Sequence, residues 1–273
     1  MENHSRNIYD IVRKNICISC GVCYSICPFK AIVWDRNNLQ PKINIEKCIG
    51  CKMCVNVCPS IEILNNYNKI YSNLESYLLG PIKEVYLGWS KNKKLRYKAS
   101  SGGFVTQFLL DLMELGEIDG AIVTIQNNLL PYLGSAIIAR NKRNIIMAKG
   151  SKYTLSSPGL LIKDIMKTNE KFAFVGLPCQ ILGLKKIEKF YKTLKEKIVL
   201  YIGLFCGHVP YRELYELIIK KEFGNNYSIK DIKRIEYRGD GWPGYLKIIL
   251  KDGSILKLPH DYWIKNYFST MIF

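Results

Sequence analysis

Histidine is scarce in this 273-residue chain: His4, His208 and His260 are all there is, and no two stand at a metal-ligand spacing. No apolar run approaches the ~20 residues that a membrane-spanning helix needs. The first residues, Met1-Glu2-Asn3-His4-Ser5-Arg6, lack the apolar core of an export signal. A reducing, cytoplasmic setting is therefore expected, and disulfides are not. Acidic residues are also few, 23 against 40 Lys and Arg, for a formal net charge of +17. No recognition motif accompanies that charge, so nucleic acid is not expected as a partner.

What the chain does have is cysteine in an ordered pattern. Eight of its ten cysteines repeat one spacing, C-x2-C-x2-C-x3-C-P. The first copy is Cys17, Cys20, Cys23 and Cys27, followed by Pro28. The second is Cys48, Cys51, Cys54 and Cys58, followed by Pro59. This is the bacterial ferredoxin signature for two [4Fe–4S] clusters. Three close thiolates wrap one cluster, and the fourth turns away to the other. Cluster one is thus expected on Cys17, Cys20, Cys23 and Cys58, and cluster two on Cys48, Cys51, Cys54 and Cys27. Zinc sites show C-x2-C pairs set far apart, not runs of four ending in C-P. Pro28 and Pro59 turn the chain after each fourth ligand. Gly21 and Gly50 sit where the backbone must bend around the sulfurs.

With such clusters the positive charge takes on a second meaning. Each oxidised cluster with its thiolates carries about −2, removing roughly four units. The remaining lysines, such as Lys91, Lys93, Lys94 and Lys98 or Lys185, Lys186 and Lys189, read either as a solvated surface or as a docking face for an acidic partner such as a small electron carrier.

The expected fold is an α+β ferredoxin-like module over residues 1–70, a polar linker over 71–81, and an α/β domain over 82–160 and 161–273. Its mainly parallel sheet is followed by a C-terminal antiparallel hairpin. Phe104 to Leu115 reads as a helix stopped by Gly116, and Leu160 to Met166 and Gln180 to about Leu194 as two more. Gly120–Ile125, Phe172–Val175 and Ile198–Phe205 read as buried strands with helical crossovers, which implies parallel pairing. Ile232–Tyr237, Tyr245–Lys251 and Ile255–Leu258 read as later strands, the last two joined through Asp252-Gly253.

Several smaller constellations carry two readings each. Ser100-Ser101-Gly102-Gly103 opens a helix, where free amides suit a flavin or nucleotide phosphate; a plain N-cap is the alternative. Gly150-Ser151-Lys152-Tyr153 offers a cation and a ring for an anionic aromatic cofactor, or is a surface turn. Cys179 and Cys206 each follow a predicted strand at the sheet edge where ligands bind, or are inert thiols. His208 stands near Cys206 as a proton donor or as a surface residue.

Together these segments resemble the coenzyme F420 hydrogenase/dehydrogenase beta subunit family. The matching pieces are Ser100-Ser101-Gly102-Gly103 with Thr106, Asp119-Gly120-Ala121, Gly150-Ser151-Lys152-Tyr153, Val175-Gly176-Leu177-Pro178-Cys179-Gln180, Ile202-Gly203-Leu204-Phe205-Cys206 and Gly241-Trp242-Pro243-Gly244, in family order. The resemblance implies FAD on the α/β domain, bound around Ser100, Ser101, Gly102, Gly103, Thr106, Gly150, Ser151, Lys152 and Tyr153. It implies electron exchange between one-electron clusters and a two-electron carrier such as coenzyme F420, with ferredoxin or a redox partner protein on the other side. It also implies a third cluster with Cys179 and Cys206 among its ligands. The two remaining ligands are expected beyond Phe273, so the chain is expected to be a fragment. A non-catalytic electron-transfer subunit is the alternative function.

Overall fold

The computed structural model describes residues 7–70, 82–207 and 209–267, with the backbone alone for 65–70. The expected linker at 71–81, His4, His208 and the aromatic end after Tyr267 lie outside these residues. The N-terminal module is built around its cysteine loops. Helix α1 (Tyr9–Arg13) buries Ile11, and α2 (Val22–Ile26) is almost wholly buried. Strands β1 (Ile32–Asp35) and β2 (Gln40–Ile43) pair antiparallel, Ile32 opposite Ile43. The Asp35 carboxylate closes their turn by accepting from the amides of Asn37 (2.9 Å) and Asn38 (3.2 Å). Helices α3 (Met53–Asn56) and α4 (Pro59–Ile70) follow the second loop.

The two loops repeat each other in backbone conformation. Gly21, between the second and third cysteines of the first copy, has φ +83°; Lys52, at the same place in the second, has φ +59°. Two residues earlier in the motif, Ser19 (φ +58°) matches Gly50 (φ +71°). Left-handed backbone is thus required at both positions of both copies, and glycine fills only one in each.

Next come α5 (Lys93–Tyr97), α6 (Phe104–Glu114), β3 (Gly120–Gln126), β4 (Gly134–Ala139), α7 (Lys142–Met147), α8 (Ile162–Ile165), β5 (Phe172–Gly176), α9 (Pro178–Glu188), α10 (Leu194–Lys197) and β6 (Ile198–Gly203). The sheet runs β4-β3-β5-β6. The β3–β5 and β5–β6 pairs are parallel, but β3–β4 is antiparallel. The edge strand β4 departs from the parallel pattern, because the short connection after Gln126 returns directly as a hairpin. The helix expected to Leu194 ends instead at Glu188.

Period-two alternation sends the sheet's side chains to two different layers. Ala121, Val123 and Ala173 pack with Leu109 and Ile145 of α6 and α7. Ile122, Phe172 and Phe174 face the other way, into one core with Ile162, Leu184 and the N-terminal module's Val22, Ile26, Cys20 and Cys58. Burial of each such phenylalanine contributes about 1.5–3 kcal/mol. The cysteine module therefore shares its core with the sheet.

The last layer is α11 (Glu213–Phe223), the meander β7 (Ile232–Glu236), β8 (Tyr245–Leu250) and β9 (Ile255–Pro259), and α12 (His260–Asn266). Its core includes Tyr215, Ile218, Ile248 and Trp263. Gly253, at φ +92°, makes the hairpin turn, with the Ser254 amide donating to the Asp252 carboxylate at 2.9 Å.

Candidate metal centres and cofactor loop

The fold sorts the eight motif cysteines into two groups. Burial pushes the thiols of Cys17, Cys20 and Cys23 up, and Cys58 pushes each of the three further. The amides of Ser19 and Val22 oppose this by donating to Cys17 and Cys20. Cys27, Cys48, Cys51 and Cys54 line one cavity, walled by Ile32 and Ile43. Burial pushes Cys54 up to about 11, against the amides of Ile8 and Val55, while Cys51 and Cys48 add to the rise. Cys58 of the second copy thus stands with the first run, and Cys27 of the first copy with the second. Cys23 also senses Cys54, so the two groups are neighbours.

Four thiols with apolar walls and amide donors suit a cluster, because a metal supplies the charge that stabilises thiolates burial would otherwise keep neutral. Among the described residues no three ligating side chains converge on a single ion.

Sheet register positions the other two cysteines. Gly176 and Gly203 end β5 and β6 opposite each other, and the Leu204 amide donates to Gly176 O at 2.9 Å. Cys179 and Cys206 lie the same three residues past those glycines. Burial raises Cys179, and Cys206 raises it further. Cys179 also acts on Cys20 of the first quartet. Cys206 is exposed.

The contact between module and sheet was not anticipated from the sequence. The Gly159 amide donates to Cys20 O at 2.8 Å, and Ser25 Oγ donates to Gly159 O at 2.6 Å. A Cβ on Gly159 would lie 2.6 Å from Cys20 O, and one on Gly21 would lie 2.9 Å from Leu160 N. Gly183, inside α9, leaves room for Val22, which a Cβ there would meet at 2.9 Å. Lys163 donates to Cys27 O at 3.4 Å and lies 4.6 Å over the Tyr24 ring. Lys186 pairs with Glu62 at 3.0 Å. A glycine within a lysine-rich helix was the one visible signal of this close approach.

The predicted cofactor residues come together in part. The Ser151 amide donates to Ser100 Oγ at 2.7 Å, joining the two loops. Gly102 and Gly103 are left-handed, and Gly103 leads into α6 with no side chain capping that helix. The first amides of α6, at Phe104, Val105 and Thr106, therefore lack intrahelical partners, which suits an anion. Thr106 is buried and Ser101 exposed. Lys152 points inward, donating to the carbonyls of Ala148, Lys149 and Gly150. Burial, and then the Lys149 charge, pushes Lys152 down to about 7. The Tyr153 ring packs 5.5 Å from Trp263 and 5.9 Å from Tyr237. The two loops thus fit a phosphate group, while Lys152 and Tyr153 are engaged by protein. No hydrogen bond among the described residues links Cys179 or Cys206 to the Ser100 loop.

Comparison with known proteins gives these sites a class. Residues 10–65 match a 4Fe-4S dicluster domain, so this is an iron–sulfur protein by its N-terminal module. Residues 85–163 match the N-terminal region of the coenzyme F420 hydrogenase/dehydrogenase beta subunit, and residues 169–269 its C-terminal region. The chain belongs to that family. It is 31% identical over 241 residues to a coenzyme F420-dependent sulfite reductase of Methanocaldococcus jannaschii, covering 83% of this chain and 35% of that protein. It is 25% identical over 255 residues to one of the subunits of the F(420)H(2) dehydrogenase of Methanosarcina mazei, covering 92% of this chain and 69% of that one. Against the F420-reducing [NiFe] hydrogenase complex of Methanosarcina barkeri it shows 23% identity and a TM-score of 0.49, over 68% of this chain and 66% of the other. The chain thus spans about a third of the first of these curated relatives and about two thirds of the second.

Proposed function

We propose that this chain is an iron–sulfur flavoprotein oxidoreductase, relaying single electrons between two [4Fe–4S] clusters and an FAD-linked two-electron carrier such as coenzyme F420. The observation that carries the reading is the order of the thiols. The quartet Cys27, Cys48, Cys51 and Cys54, with Cys51 exposed, neighbours the quartet Cys17, Cys20, Cys23 and Cys58, three of which are buried, and Cys20 in turn neighbours Cys179. Family membership and the dicluster match support the electron-transfer role.

The chain's own residues have three tasks. The eight thiolates hold the clusters, and the amides of Ser19, Val22, Ile8 and Val55 stabilise sulfur charge. Gly21, Gly159 and Gly183 seat the first quartet against the sheet. Ser100, Ser101, Gly102, Gly103, Gly150, Ser151 and the first turn of α6 hold the phosphate end of FAD. Flavin, when bound, interconverts two-electron and one-electron transfer. Cys179 and Cys206 supply two ligands of a third cluster. One observation favours the second reading, a non-catalytic electron-transfer subunit: Lys152 and Tyr153 are engaged within the protein.

The test is anaerobic reconstitution of the chain with iron, sulfide and FAD. The reading expects about eight irons on the motif cysteines and, in a full-length version, retained flavin that Gly102→Val removes without loss of cluster absorbance. Clusters without flavin select the second reading, and absence of iron overturns both.

A further inference from the structure

We propose that the rim of the second quartet is the docking face for a small acidic one-electron carrier protein; this rests on the cluster assignment made above. Phe29, Ile49 and Lys52 stand at the cavity lined by Cys27, Cys48, Cys51 and Cys54. Cys51 itself is exposed. Phe29 is 44% and Ile49 66% exposed, so two large apolar side chains stand open beside the same cavity. Lys30, Lys47 and Lys52 flank them, all exposed. None of the three enters an ion pair among the described residues, and Lys163 Nζ donates to Cys27 O at 3.4 Å.

Glu46 and the about −2 of the cluster that this quartet would hold weaken this field, but the lysine ammonium groups stand at the surface in front of the thiolates. Asp35 is held by Lys42 at 2.8 Å, which leaves Glu46 as the one carboxylate on the Ile45–Lys47 turn. A partner must therefore present carboxylates to the lysines and a small apolar spot to Phe29 and Ile49. The opposite surface of the module is closed: the first quartet's loop lies against Gly159 and Leu160. Tunnelling weakens steeply with distance, so an external carrier gains most by seating over Cys51. The [4Fe–4S] cluster that this quartet would hold would exchange one electron with the carrier's own centre in each encounter. One side is oxidised and the other reduced by one, and no atom is exchanged.

The experiment uses the reconstituted full chain and an acidic plant-type [2Fe–2S] ferredoxin as the probe. Carbodiimide joins lysine to carboxylate across the contact, and mass spectrometry maps the joints. Crosslinks at Lys30, Lys47 and Lys52 are expected; crosslinks confined to Lys91–Lys98 or Lys185–Lys192 overturn the docking face. The second arm is the triple variant Lys30→Glu, Lys47→Glu, Lys52→Glu with its iron content verified. Stopped-flow electron transfer at low salt should slow by ~10-fold or more, because steering of this kind raises association rates by about 10–10³. A rate unchanged in the loaded variant overturns the proposal. A wild-type chain that takes up no iron at the second quartet instead fails the functional reading, and the docking face falls with it.

Discussion

The two cysteine loops have the same spacing and the same left-handed turns, yet opposite surroundings. Gly21 and Lys52 occupy equivalent places, at φ +83° and +59°. At Gly21 the neighbouring backbone of Leu160 leaves no room for a side chain, whereas Lys52 is exposed. Ser25 is buried and bonded to Gly159, while its counterpart Asn56 is exposed. The cluster motif sets the backbone path, and the neighbouring layer decides which residues fill it. One loop has become an internal contact and the other a surface.

The comparison breaks most sharply at the ligands. Cys58→Ser should remove the cluster shared with Cys17, Cys20 and Cys23 and leave the one at Cys48, as read by EPR and Mössbauer spectra. Loss of the Cys48-side cluster instead would undo the crossed grouping. Next in size is the paired substitution Gly21→Ala and Gly50→Ala. Both add a Cβ to left-handed backbone, costing about 1–2 kcal/mol. Only Gly21 also meets packed neighbours, while nothing lies within 4 Å of a Cβ on Gly50. Gly21→Ala should therefore lose a further ~1–3 kcal/mol in denaturant unfolding of the loaded protein. Equal losses would mean that the module and the sheet do not press together there.

Smaller effects refine the picture. Ser25→Ala deletes a buried hydroxyl bond to Gly159 O and should cost about 1 kcal/mol, while Asn56→Ala should change stability by less than ~0.5 kcal/mol. Comparable in size is Lys52→Gly, where relief of left-handed strain is offset by the entropy of a freer unfolded chain. A net change below about 1 kcal/mol is expected. A large loss would assign Lys52 a structural contact that its exposure does not suggest.

What was legible in the sequence follows the same division. Cluster spacing is visible because covalent ligation constrains neighbouring residues directly. Buried strands such as Phe172-Ala173-Phe174-Val175 are visible because they are unbroken apolar runs. The antiparallel edge strand Gly134–Ala139 was not, since Gly134-Ser135-Ala136 carries little strand propensity and its pairing with β3 supplies the rest. The inward turn of Lys152 was equally hidden: its three acceptors are the carbonyls two to four residues earlier, just past the preceding helix, and a lysine after a glycine turn carries no residue-type signal of folding back on them. The seat of Cys20 on Gly159 joins residues 139 positions apart, and local pattern carries no trace of such a pair.

The central claim is that the first quartet is the inner site and the second the outer one. A water-soluble gadolinium chelate, added to the reduced and reconstituted protein, tests it through EPR relaxation. The chelate should speed relaxation of the signal that Cys48→Ser abolishes and leave nearly untouched the signal that Cys17→Ser abolishes. Equal enhancement of both signals, or the reverse order, would contradict the account.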